Sequence, residues 1–151
     1  GGATIVCEVP RAGFWKLTVK SGNRLWSFAD TTVPLAACFG RGSHEPAMNG
    51  SVGELWFAVP KACSGFALYA SGGGGVETVS ARLCAPDGRE VWAARDVGEW
   101  ANFVAGSADC APGLWKLVVE RPGKGTLDDF SFDLIGIPLH FFLTPEKRWQ
   151  W

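Results

Sequence analysis

Large apolar residues alternate with small or polar ones along most of the chain, and turn-forming residues break the alternation about every ten positions. In Phe14-Trp15-Lys16-Leu17-Thr18-Val19, an extended backbone puts Trp15, Leu17 and Val19 on one face. Ser21-Gly22-Asn23 then predicts a hairpin turn into Leu25-Trp26-Ser27-Phe28. Gly40 to Gly53, with Arg41-Gly42-Ser43-His44-Glu45-Pro46 and Asn49-Gly50-Ser51, reads as a long polar loop. Leu55 to Pro60 and Phe66 to Ala70 are strand-like, and Gly72 to Gly75 is a turn. From Thr78 to Cys84, Val79, Ala81 and Leu83 point inward. Ala85-Pro86-Asp87-Gly88 is a tight-turn signal before Arg89-Glu90-Val91-Trp92-Ala93. Leu114 to Glu120 places Trp115, Leu117 and Val119 together, and Gly123-Lys124-Gly125-Thr126 reads as a hairpin turn. Phe130, Phe132 and Leu134 alternate with Ser131 and Asp133 in the next strand, and the tail continues from Ile135 to Leu143.

Ala93 to Phe103 has the least regular pattern and leaves room for one short helical turn. No other segment has helical spacing, and the count of short strands comes to roughly nine to eleven. The expectation is an all-β fold, an antiparallel β-sandwich of jelly-roll or Greek-key type, occupying residues 1–151 as one domain. Composition agrees with this, because 20 Gly and 9 Pro supply turns while 10 Phe and 8 Trp supply large core residues. Gly13-Phe14-Trp15-Lys16-Leu17-Thr18-Val19 is echoed by Gly113-Leu114-Trp115-Lys116-Leu117-Val118-Val119. The favoured explanation is that both tryptophans lie in the core, since each shares a face with Leu and Val.

A formal net charge of -1, with Lys147-Arg148 as the longest basic cluster, argues against nucleic acid as a partner. No apolar run reaches the length of a membrane-spanning helix. The chain opens Gly1-Gly2-Ala3 and its one Met is Met48, so a piece of a larger multidomain protein is expected. The five cysteines are Cys7, Cys38, Cys63, Cys84 and Cys110. Their odd count leaves at least one outside any intrachain disulfide, and none lies in the close pairs that structural zinc uses. Most read as small buried hydrophobes, with disulfides left open.

From Leu55 onward the order of motifs resembles the pre-peptidase C-terminal type of β-sandwich and related accessory modules of bacterial secreted hydrolases. The resemblance runs through Leu55-Trp56-Phe57-Ala58-Val59-Pro60, Phe66-Ala67-Leu68, the Ala85-Pro86-Asp87-Gly88 turn and Pro112-Gly113-Leu114-Trp115-Lys116-Leu117-Val118-Val119. The stretch up to Gly53 departs from it. The resemblance implies a non-catalytic domain that trails a catalytic one in an extracellular or periplasmic protein, in some cases binding polysaccharide or calcium. It assigns no role to any single residue.

The residues themselves offer little catalytic chemistry. His44-Glu45 is the one place where an imidazole adjoins a carboxylate, and neighbours in a loop commonly point apart. No Gly-x-Ser-x-Gly elbow occurs, and Gly123-Lys124-Gly125-Thr126 lacks the spacing of a phosphate loop. The tryptophans are the better handle, because sugars lay their apolar ring faces on exposed aromatic planes flanked by polar groups. The ligand-binding candidates are Trp100, Trp92, Trp26 and Trp56, with Asn102 beside Trp100. Trp56 and Trp92 are expected to face away from the inward Leu and Val positions of their strands. Trp149 and Trp151 suit contact with another domain of the same parent chain.

Asp128 and Asp129, with Asp133 nearby, would hold a structural calcium at a strand edge, against the favoured alternative of charges in water. No other cofactor is expected. The leading functional expectation is a non-catalytic accessory module that binds glycan or packs on its catalytic partner. A purely structural interdomain module is the second, and a small hydrolase using His44 or His140 the third.

Overall fold

A computed structural model describes residues 4–11, 17, 36, 48–50 and 52–142. The chain groups into a unit of residues Gly1–Asp30 and a larger unit of residues Thr31–Trp151. In the first, residues 4–11 and 17 are exposed and irregular. The expected strands around Trp15 and Leu25 to Phe28, together with Trp26, His44, Trp149 and Trp151, lie outside the described residues.

The larger unit contains eight described strands: β1 (Met48–Asn49), β2 (Gly53–Val59), β3 (Phe66–Gly72), β4 (Val79–Cys84), β5 (Glu90–Val97), β6 (Ala101–Ala105), β7 (Gly113–Glu120) and β8 (Asp129–Ile135). All strand pairs are antiparallel, and they are nested: β4 pairs β5, β3 pairs β6, β2 pairs β7 and β1 pairs β8. Two further pairings, β3 with β8 and β4 with β7, join these into four-stranded sheets ordered β1-β8-β3-β6 and β2-β7-β4-β5. The protein is an all-β antiparallel sandwich, and no helix occurs among the described residues.

The core follows from the period of two. Leu55, Phe57 and Val59 of β2, and Trp115, Leu117 and Val119 of β7, are buried from one sheet. Phe66, Leu68 and Ala70 of β3, and Phe130, Phe132 and Leu134 of β8, are buried from the other, and all join one cluster. Trp115 ties the sheets together. It lies parallel to its register partner Phe57, with ring centroids 6.3 Å apart. Across the interface it meets Phe66 edge-on at 5.0 Å and Phe103 at 6.1 Å. Its indole N–H donates to the Ala111 carbonyl at 2.8 Å, so its one polar atom is satisfied although the residue is 1% exposed.

Three expectations are corrected. Ala93 to Phe103 holds no helical turn: it contains the end of β5, a short crossing to the other sheet, and the start of β6. The polar loop before Gly53 contains a short strand, since Met48 and Asn49 pair with Phe130 and Asp129. Gly123 to Thr126 is not a hairpin turn, because β7 and β8 belong to different sheets and this segment crosses between them.

The crossing is held by Asp96, which adopts φ 53° at the end of β5. Aspartate tolerates this left-handed backbone better than most side chains. Its Oδ1 accepts the Gly123 N–H at 2.6 Å and the Lys124 N–H at 3.1 Å. Its own N–H donates to Ser80 Oγ at 3.0 Å. Gly125 has φ 83°, and a Cβ there would come within 2.6 Å of the Val76 carbonyl. The sequence offers glycine where the backbone permits nothing larger.

Replacing the inter-sheet hub is expected to be severe. Trp115→Ala should cost about 3–5 kcal/mol in guanidinium unfolding, the range for emptying a fully buried aromatic site. A loss below about 1 kcal/mol would show that Trp115 is not the hub of the core.

Candidate functional site

The strand periodicity that fills the core also sorts the residues on the outer face of the β1-β8-β3-β6 sheet. Between buried Leu68 and Ala70, Tyr69 of β3 points outward. Its register partners are Asn102 on β6 and Asp133 on β8, so Asn102, Tyr69 and Asp133 form a row across three strands. Trp100 precedes β6 and turns its ring toward Tyr69, with centroids 6.5 Å apart and planes 74° apart. Trp100 is 43% exposed. The two rings make a corner, with an amide and a carboxylate in the same row.

The adjacent row is apolar. Val104, Ala67 and Ile135 are register partners on β6, β3 and β8. Val104 is 64% exposed and Ile135 55%, which is unusual for large aliphatic residues in a regular sheet. The face thus sets an aromatic and polar row against an aliphatic one.

The outer face of the other sheet is built from charge. Arg82 on β4 donates from Nε to Glu120 Oε1 at 2.8 Å and from Nη1 to Glu90 Oε2 at 3.2 Å. Hydrogen bonding to Glu120, and then to Glu90, holds the guanidinium above its ordinary pKa. Lys116 reaches Glu54 at 2.9 Å, and its ammonium lies over the Trp56 ring, 5.6 Å from the centroid. Trp56 does face outward, but under a lysine. Backbone bonds in both directions with Phe142 also place Trp56 beside the Phe141–Phe142 segment.

Trp92 differs from expectation. It pairs with inward Leu83 and packs against the core cluster. The register shifts between Leu83 and Cys84, whose partner is Glu90, so Val91 is the extra residue of a β-bulge. A bulge resets the alternation, which turns Trp92 inward. Of the expected ligand residues, the structure brings together Trp100 and Asn102. Tyr69 and Asp133 join them through cross-strand register, which spacing along the chain does not reveal.

Asp128 and Asp129 lie at the start of β8, where their carbonyls accept the Gly50 N–H at 3.1 Å and the Gly73 N–H at 2.8 Å. Asp133 stands apart in the Tyr69 row. Among the described residues, no three His, Cys, Asp or Glu side chains gather as a metal site. His140 is half-buried in the segment after β8, and burial lowers its imidazole pKa. No described helix is long and apolar enough to cross a membrane. No protein-family model, curated protein or solved structure matches the chain.

The lowered pKa of His140 sets the sign of a pH effect. The unfolded chain binds the proton more readily than the folded one, so stability is lost as pH falls through the ordinary histidine value of about 6.5. Thermal melts at pH 7.5 and 5.5 should show a smaller drop for His140→Gln than for the wild type. Equal drops would mean that burial does not disfavour the charged imidazole.

Proposed function

We propose that this protein is a non-catalytic accessory β-sandwich module that binds glycan through the outer face of the β1-β8-β3-β6 sheet, within a larger extracellular or periplasmic protein. The observation that carries this reading is the Trp100–Tyr69 corner in register with Asn102 and Asp133. One ring offers a plane for the apolar face of a pyranose, and the second offers an edge wall. An amide and a carboxylate nearby suit ring hydroxyls, which need both donors and acceptors. An open face of this kind favours weak binding, because it buries little of a ligand.

The nested strand order favours the jelly roll over the other wrapping left open by the sequence, and lectin domains are among the proteins that use it. That is support by architecture alone, and the residues of the face carry the argument. The accessory-module resemblance from Leu55 onward points in the same direction.

A second reading has its own observation. The Val104–Ala67–Ile135 row is an exposed aliphatic strip, which favours docking against another domain of the parent chain.

Tryptophan fluorescence during titration with a panel of soluble polysaccharides separates the two. The expected result is a saturable shift with one glycan class, lost in Trp100→Ala and weakened about tenfold in Asn102→Ala, a step of about 1.4 kcal/mol. Trp56→Phe should leave it intact. The titration is run with and without calcium, because Asp128 and Asp129 are the carboxylates expected to hold that ion. No shift with any glycan would overturn the glycan reading in favour of domain docking.

A further inference from the structure

We propose that Cys63 and Cys110 are joined by a disulfide bond in the mature protein. The proposal rests on where the fold puts two residues that are remote in sequence. Cys63 lies in the connection between β2 and β3, and Cys110 in the connection between β6 and β7. The flanking strands are paired in fixed register, Val59 with Gly113 and Phe66 with Ala105, so both connections lie at one end of the sandwich.

Backbone bonds hold Cys63 and the residues flanking Cys110. The Cys63 N–H donates to the Pro60 carbonyl at 3.1 Å, and the Asp109 N–H to the Gly106 carbonyl at 3.0 Å. The Trp115 indole, bonded to Ala111, anchors the residue next to Cys110. The result is a separation of 2.8 Å between the two Sγ atoms. A covalent S–S bond is about 2.05 Å, so closure needs only a small side-chain adjustment. Cys84 and Cys7, the other described cysteines, have no such sulfur neighbour among the described residues.

The two thiols differ in a way that orders the chemistry. Cys63 is partly exposed and Cys110 is 6% exposed. Burial, and then the hydrogen bond to Cys63, pushes the Cys110 thiol up to about 11. The Cys63 thiolate attacks a small-molecule disulfide, forming a mixed disulfide and releasing one thiol. Cys110 then loses its proton and attacks the Cys63 sulfur, releasing the second thiol. The protein dithiol is oxidised by two electrons, the small-molecule disulfide is reduced to two thiols, and the two protein protons end on the leaving thiols. Such disulfides persist in oxidising compartments, where exported proteins fold.

The test is a peptide map of the full chain. The protein is equilibrated with glutathione disulfide, unfolded in guanidinium with iodoacetamide and no reductant, then digested. The expected product is one cross-linked species containing Cys63 and Cys110, two hydrogen masses lighter than the separate peptides. Reductant should split it and lower Tm by roughly 5–15 °C. Recovery of both cysteines alkylated, or of either joined to Cys7, Cys38 or Cys84, would overturn the proposal.

Discussion

The sandwich depends on a single arrangement of aromatic rings spanning the space between its sheets. Trp115 approaches from β7, lies along Phe57 of β2, and meets Phe66 and Phe103 of the facing sheet. Phe57 in turn contacts Phe141, which contacts Phe132 of β8. Rings of this size bury large apolar areas, and their edge-to-face geometry fixes spacing in a way that aliphatic packing does not. The indole also carries a polar atom that must be satisfied in the interior. The Ala111 carbonyl that receives it belongs to the turn beside Cys110, so core packing and turn geometry are set by the same residue.

With the interior settled by one phase of each strand, the opposite phase is released for other work, and the two sheets use it differently. Glu90, Arg82 and Glu120 bridge three strands of the β2-β7-β4-β5 sheet as a charged ladder, with Lys116 over Trp56 beside it. Half-exposed ion pairs contribute about 0–1 kcal/mol each, so their main effect is to keep that face wet and unattractive to apolar partners. The other sheet lacks this cover along the Tyr69 and Ala67 rows, where rings and aliphatic groups meet solvent. The asymmetry leaves one face dominated by ion pairs and the other by rings and aliphatic groups.

Much of this architecture is legible along the chain, and each departure has its own physical reason. The buried phases of β2, β7 and β8 are plain alternations, Leu55-Phe57-Val59 and Phe130-Phe132-Leu134 among them. Trp92 points inward against the alternation because a bulge at Val91 shifts the phase, and a bulge depends on the partner strand. Gly123 to Thr126 has the chemistry of a hairpin turn, but that chemistry does not say which sheet the chain joins next, and here it joins the other one. Ala93 to Phe103 was opaque because Ala93, Ala94 and Gly98 give a strand little contrast. The candidate site divides in the same way: Trp100 and Asn102 stood out as neighbours in sequence, whereas Tyr69 and Asp133 join them only through cross-strand register.

The nested pairing of strands has a kinetic side. Phe57 and Trp115 are far apart along the chain, and in an open coil their meeting would close a long loop at a large entropic cost. The fold offers a shorter route. The Ala85–Arg89 turn brings β4 and β5 together locally, with the Ala85 N–H donating to the Arg89 carbonyl at 2.9 Å. Once that ribbon exists, β3 and β6 have only residues 73–78 and 98–100 left to close, and β2 and β7 only residues 60–65 and 106–112. Each pair makes the next one local. A topology rich in distant contacts can therefore assemble like a zipper, from its innermost turn outward.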